Sequence, residues 1–300
     1  MKRVWLCLAC LALALSCVPN LGNTDFLVTG PRVLAIVGEP AEARPGTKVT
    51  FTALVASPSG TVPSASVSWG FCEAPKPLTT DNAVSNACLD TSSLVAAGSG
   101  ESITAATPGN GCSTFGPDTP PGDFRPRDPD VTGGYYQPLS ADLPGSDTTF
   151  ELARIQCDLA NAPPAAVNQF AAEYKANLSP VLSPLAAAID GAQVPFTSVH
   201  AGAQVTFTAS WPASSAETFA YYDPSSQVVT TQRESLQVAW YATDGTFETE
   251  STGRAASDMA TTTTDTWTAP GDAETVHIWI VLRDSRGGVD FAAYDVGVVQ

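Results

Sequence analysis

The stretch "GTKVTFTAL", Gly46–Leu54, is written again with small changes as "GAQVTFTAS", Gly202–Ser210. Both copies have a period of two. Val49, Phe51 and Ala53 fall on one side and Lys48, Thr50 and Thr52 on the other, and Val205, Phe207 and Ala209 oppose Gln204, Thr206 and Thr208 in the same way. That alternation is the pattern of a half-buried β-strand. Each copy is entered through a turn, "RPGT" at 44–47 and "HAGA" at 200–203, where glycine supplies backbone freedom. A Trp-centred strand follows each copy, "VSWGF" at 67–71 and "VAWYA" at 238–242. The chain therefore repeats a strand order, and 300 residues suit two domains of about 100–150 residues each.

Composition agrees with an all-β chain. Hydrophobic residues make up 44% and charged residues only 15%, enough apolar material for two cores, while 23 Gly and 24 Pro imply many turns. With 14 Lys+Arg against 30 Asp+Glu, the net charge of −16 opposes a nucleic-acid partner.

The first residues form an address. Lys2 and Arg3 precede the apolar run "VWLCLACLALAL", Val4–Leu15, which is too short to span a bilayer comfortably and has the form of a cleaved signal segment over 1–16. "LALSC", Leu13–Cys17, resembles a bacterial lipobox, with Ala14 where that pattern prefers Leu, Val or Ile. The resemblance implies lipidation at Cys17, a tether over 17–30, and membrane attachment through the N-terminal lipid. Cysteine arithmetic points the same way. Cys7 and Cys10 leave with the signal, so Cys17 is the odd member beside Cys72, Cys88, Cys112 and Cys157. Those four can form two disulfides in an oxidising compartment, in any of three connectivities. The smallest loops come from Cys72–Cys88 and Cys112–Cys157. They include no CxxC knuckle and no intervening histidine, so no structural zinc or other cofactor is expected.

A strand carrying the repeat followed by one with a central Trp resembles the B and C strands of immunoglobulin-like β-sandwiches. The end of the chain, "TDTWTAP" from Thr264 and "ETVHIWIVLRDSRGGVDFAAYDVGVV" from Glu274, reads as a loop, a strand, a tight turn and a final strand. It is similar to the last hairpin of bacterial Ig-like and PKD-like modules. The expected organisation is an Ig-like domain over 31–160, a connector over 161–188, and a second Ig-like domain over 189–300. Within the first domain the Gly/Pro/Ser/Thr-rich span between Cys88 and Phe150 suggests a long loop pinned by disulfides. In the connector, Val167, Phe170 and Tyr174 recur at helical spacing behind Pro163 and Pro164, predicting a short helix packed on one sandwich.

Candidate chemistry is sparse. His200 and His277 are the two histidines, and no GxSxG elbow is present. Asp118, Asp123, Asp128 and Asp130, with Asp244, are oxygen ligands that could hold Ca²⁺, but without EF-hand spacing. The pairs Tyr135–Tyr136 and Tyr221–Tyr222 fall in loop-like stretches where stacking on a sugar or protein is expected. Over most of residues 31–300 the mature chain, including "PRVLAIVGEPAEARPGTKVTFTALV" and "WGFCEAPKPLTTDNAVSNACL", resembles a group of uncharacterised myxobacterial lipoproteins. The resemblance implies an envelope lipoprotein of the outer membrane and carries no catalytic residues with it. The expected role is structural or binding, toward a protein or polysaccharide, without catalysis; the alternative is an enzyme or enzyme accessory acting on envelope glycans.

Overall fold

The computed structural model describes residues 25–74, 84–114, 130–159 and 162–300. The signal segment, Cys17 and the acids Asp118, Asp123 and Asp128 lie outside the described residues.

The first domain contains β1 (Arg32–Glu39), β2 (Glu42–Ala43), β3 (Lys48–Ser57), β4 (Gly60–Thr61), β5 (Ser68–Phe71), β6 (Val95–Ser99), β7 (Ser102–Ala106), β8 (Gly134–Asp142) and β9 (Thr149–Gln156). Helix α1 (Pro164–Glu173) follows. The second domain contains β10 (Ala186–Ile189), β11 (Ala192–Gln193), β12 (Val199–His200), β13 (Gln204–Ser210), β14 (Thr218–Asp223), β15 (Val228–Arg233) and β16 (Leu236–Ala242). It ends with β17 (Thr246–Phe247), β18 (Ser251–Arg254), β19 (Thr262–Thr268), β20 (Thr275–Asp284) and β21 (Val289–Val299).

Each domain is a two-sheet sandwich. In the first, β1 and β3 pair with β4 and β7 alongside β3, against the sheet β2-β9-β8-β5-β6. In the second, β11-β10-β13-β19-β17 faces β12-β21-β20-β16-β18. The repeated strands are β3 and β13, and their inward residues Val49, Phe51, Ala53, Val205, Phe207 and Ala209 are all buried. Trp69 on β5 and Trp240 on β16 fill the two cores, with their indole N–H groups bonded to the Gly100 carbonyl and the Thr252 hydroxyl. Cys72–Cys88 and Cys112–Cys157 are the two disulfides.

Several expectations need correction. The span 88–150 is not a single pinned loop, because β6, β7, β8 and the start of β9 lie in it; small Ala, Ser, Thr and Gly residues build strands there that composition reads as loop. "TDTWTAP" is not a loop either. Most of it belongs to β19, with Asp265 and Trp267 buried on the inner face. Helix α1 forms as expected but packs on the β14–β15 ribbon rather than on a sandwich, through Ala166 and Phe170 against Ala220, Tyr222 and Val229. The end of the expected tether is part of the fold. Phe26 and Val28 are buried, and the backbone around Leu27 bridges to Ala242 of β16. Phe26 meets Phe247 edge-on in the second domain's core before the chain turns into the first.

The two sandwiches are joined through an apolar interface. On β20, Val276, Ile278, Ile280 and Leu282 point into the second domain, while Trp279 and Val281 point the other way. There they meet Leu34, Ala35, Leu54 and Ala56, on the faces of β1 and β3 turned away from the first domain's core. Strands buried on both faces lose the polar alternation of a surface strand. The runs "TALVA" in β3 and "IWIVL" in β20 show this. The Trp279 indole N–H donates to Thr61 Oγ1 at 2.8 Å, so its polar atom is also satisfied in the first domain. Trp279→Ala should therefore destabilise the protein by about 3–5 kcal/mol, measured by urea unfolding; a loss within the range of ordinary surface substitutions would show that the interface is not packed as described.

Candidate functional site: a buried charged seam

The polar groups of the chain converge at the junction of both domains, the connector and the β14–β15 ribbon. Arg286 lies in the β20–β21 turn and is 2% exposed. Its Nε donates to Glu234 Oε1 at 2.6 Å, Nη2 to Glu217 Oε2 at 3.1 Å, and Nη1 to the Lys175 carbonyl at 2.9 Å. The guanidinium carbon sits 4.7 Å from the centre of the Phe219 ring, within cation–π range. Glu234 uses its second oxygen to accept the Glu217 N–H. One cation thus ties the connector to the open end of the β14–β15 ribbon, where the chain enters at Glu217 and leaves at Glu234.

Asp284 shapes the turn that presents Arg286. Its Oδ1 accepts the N–H groups of Arg286 and Gly288 at 2.8 and 2.9 Å, and Asn177 Nδ2 reaches the same carboxylate. Gly288 is required here because an added Cβ would run into Asp284 Oδ2 and Pro180. From Asn177 the network passes to the first domain. Its backbone N–H donates to Glu42 Oε2 at 2.7 Å, the Tyr174 hydroxyl donates to Glu42 Oε1, and Arg154 pairs with Glu42 at 3.3 Å. Arg154 Nη2 also donates to the Thr132 carbonyl, and its guanidinium lies over the Tyr136 ring.

The connector beyond α1 has no regular structure until β10, yet many of its N–H groups are paired. Side chains accept its N–H groups one after another: Glu42 from Asn177, Glu217 from Leu178, Ser215 from Val181, Asp290 from Leu182 and the Tyr294 hydroxyl from Leu185. Acceptors from both domains and the ribbon therefore fix its path. Leu178 and Val181, 63% and 55% exposed, leave an apolar rim beside a groove that also touches Val37, Pro40 and Val289.

Four carboxylates, Glu42, Glu217, Glu234 and Asp284, share two guanidiniums in this seam. Burial and the neighbouring Asp284 charge, partly offset by Arg286, push the Glu234 carboxyl up to about 7. Burial likewise raises Asp284, against the hydrogen bonds it accepts from Gly288 and Arg286. Burial and the Glu42 charge raise the Tyr174 hydroxyl. For Arg154, burial acts to lower the value, but the Glu42 charge prevails and keeps the guanidinium protonated.

The tyrosine pairs are placed differently from expectation, because all four lie in strands rather than loops. Tyr135 is fully buried on β8, packed against the Cys112–Cys157 disulfide. Its hydroxyl donates to Gln137, which in turn donates to the Cys72 carbonyl, so it links the two disulfide regions. Tyr136 covers Arg154 and donates to the Ser285 carbonyl across the domain junction. Tyr222 is 4% exposed under α1, and Tyr221 is half-buried on the opposite face of the ribbon. The hydrophobic period of β8 and β14 buries one member of each pair, so neither pair forms an exposed stacking platform.

His277 holds Asp295 at 2.7 Å with its ring against Gly60 of the first domain, while His200 is exposed on β12. Asp244 caps its own turn through the Gly245 N–H. Among the described residues no three His, Cys, Asp or Glu side chains are grouped to hold a metal ion. The seam residues escaped sequence reading because no motif joins them. Their signal is charge set within or directly after apolar strand sequence, as Arg154 in "ELARIQ" and Asp284 and Arg286 behind "IWIVL", within a chain that has few charges.

No protein-family model matches the chain, and no curated protein does. Among solved structures it is similar to the D00-D0 domain of intimin, at 9% identity over 90% of this chain and 99% of that one, with a TM-score of 0.25. It is also similar to the adhesin InvE of Yersinia pseudotuberculosis, at 14% identity and a TM-score of 0.25, over 89% of this chain and 58% of that structure. A third likeness is to fibronectin(III)-like modules of Clostridium thermocellum CbhA, at 10% identity over 89% and 92% of the chains and a TM-score of 0.23. The chain spans little more than half of the Yersinia adhesin structure. Likeness at this level carries nothing about ligands, and the fold assignment rests on the sheets themselves.

The seam makes stability depend on pH in a stated direction. Glu234 titrates near 7 in the fold and near the ordinary 4.5 when unfolded, so the folded state holds the extra proton between those values. Its contribution is fully present below about pH 4.5 and is lost as pH rises through 7. The melting temperature should fall from pH 5 to pH 8, and Glu234→Gln should flatten that fall relative to wild type; parallel curves would place the titration elsewhere.

Proposed function

We propose that this chain is a lipid-anchored protein of the cell envelope, attached to the outer membrane through Cys17, with a structural or binding role toward a protein or polysaccharide. The observation that supports the reading most is the use of the cysteines. Cys72, Cys88, Cys112 and Cys157 are all consumed in two disulfides, which suits an oxidising compartment and leaves Cys17 as the single thiol after the signal segment. The lipobox-like "LALSC" gives that thiol a use. The first described residues, Asp25 onward, run directly onto the second domain, so an anchor at Cys17 would hold the folded body within eight residues of the membrane surface. The acidic charge of −16 favours a neutral or basic partner over an anionic one.

The fold supports a presenting rather than a reacting role. The charged side chains of the seam are spent on one another and on backbone groups, and their effect is to fix two sandwiches, a connector and a ribbon in one geometry. A rigid body offers its loops and sheet edges at set distances, which limits the ordering that binding must impose.

Expression of the full chain in a bacterial host with a clickable fatty acid tests the anchor. Wild type should be labelled and sediment with membranes, and Cys17→Ser should lose both properties. A wild-type protein that is unlabelled and soluble would overturn the reading.

A further inference from the structure

The β14–β15 ribbon is an incomplete sheet. Its two strands pair in unbroken register from Thr218 with Arg233 to Asp223 with Val228, and among the described residues no further strand joins them. Helix α1 packs against one face, and the short turn Asp130–Thr132 lies beside β14. Among the described residues, the outer edge of β15 is left without a strand partner. Every second residue there turns its N–H and C=O outward, which is the template for adding another strand.

Natural edges usually carry something that discourages such pairing. Strand β6 has Gly98 at a register shift, β18 is four residues long, and β11, β12 and β17 have two residues each. From Val228 to Gln232, β15 has no charge, proline, glycine or bulge, and its residues Val, Val, Thr, Thr and Gln are mostly strand formers.

A second observation indicates what covers this edge. Val228 and Met259 are two of the large apolar side chains left exposed, at 49% and 71%. Val228 begins β15, and Met259 is held at the other end, because Arg233 Nη1 donates to the carbonyls of Ala256 and Asp258 on the Met259 loop. Val228 and the Met259 loop therefore lie toward opposite ends of β15. An antiparallel strand related by a two-fold axis would carry its own Val228 to the Met259 end, and would do so at both ends at once. In a molecule of net charge −16, an edge free of acidic residues is also where two copies meet with least repulsion.

We propose that β15 pairs antiparallel with β15 of a second copy of this chain, joining two ribbons into one four-stranded sheet about a two-fold axis. Backbone parity makes the proposal sharp. Residues with outward-facing N–H and C=O groups pair only with residues of the same parity, so an identical residue lies across the axis, Thr230 against Thr230 or Thr231 against Thr231. Cα separations of about 4.5–5.5 Å across such pairs fall within disulfide range.

Single variants Thr230→Cys and Thr231→Cys of the full chain, oxidised in intact cells and run on a non-reducing gel, read this directly. One of them should give a disulfide-linked homodimer. Thr206→Cys, also exposed but on β13 and paired on both sides, with Ala188 and Thr266, should give none, and Met259→Glu added to the reactive variant should lower the dimer yield. Met259 is a surface side chain, so that second change leaves folding intact. No dimer above the Thr206→Cys level, a dimer that Met259→Glu leaves unchanged, or an adduct with a different protein in place of a homodimer would each overturn the proposal.

Discussion

A guanidinium withdrawn from water must find its counter-charges and hydrogen-bond acceptors inside the protein, or the fold that buries it does not form. Arg286 sets that constraint here. Its donors reach Glu234, Glu217 and the Lys175 carbonyl, so the terminal hairpin, the open end of the ribbon and the connector are held at one point. The Asp284 carboxylate that forms the turn also takes Asn177, and Asn177 leads through Glu42 to Arg154 in the first domain. Losing one partner would leave another buried charge uncompensated, so these groups act together rather than as separate pairs.

The seam would not suffice without the apolar contact beside it. Trp279 and Val281 leave the second domain's sheet and enter the back of β1 and β3, and the segment at Phe26–Val28 docks on the second domain before the chain forms the first. The chain therefore crosses between the domains twice, once near residue 30 and once through the connector. Two crossings, an apolar interface and a charged seam leave little freedom for one sandwich to turn against the other. This fixes the spacing of the loops and sheet edges.

Much of the architecture could be read from sequence because it repeats local physics. The alternation in "VTFTA", the Trp-centred strands and the terminal hairpin each specify strands without reference to distant residues, and nearest-neighbour loops give the disulfide pairs. What could not be read depends on partners far apart in the chain. Tyr135 and Tyr222 look like recognition residues until the strands that bury them are placed, and the residues 95–106 look like loop because small side chains hide their pairing with β3 and β5. The charged seam is assembled from positions as distant as Glu42 and Arg286, and no spacing rule connects them. Two-sided burial was the one long-range feature with a local trace. The apolar runs "TALVA" and "IWIVL" break the alternation of a surface strand, and that break marks the domain interface.

The account's central claim is that both sandwiches are held as one cooperative unit. Amide hydrogen exchange of β3 and β20, followed through increasing urea below the unfolding midpoint, tests it most directly. The slowest amides of the two strands should converge on one opening free energy with one urea dependence. Two separate isotherms, with one domain opening while the other stays protected, would contradict it.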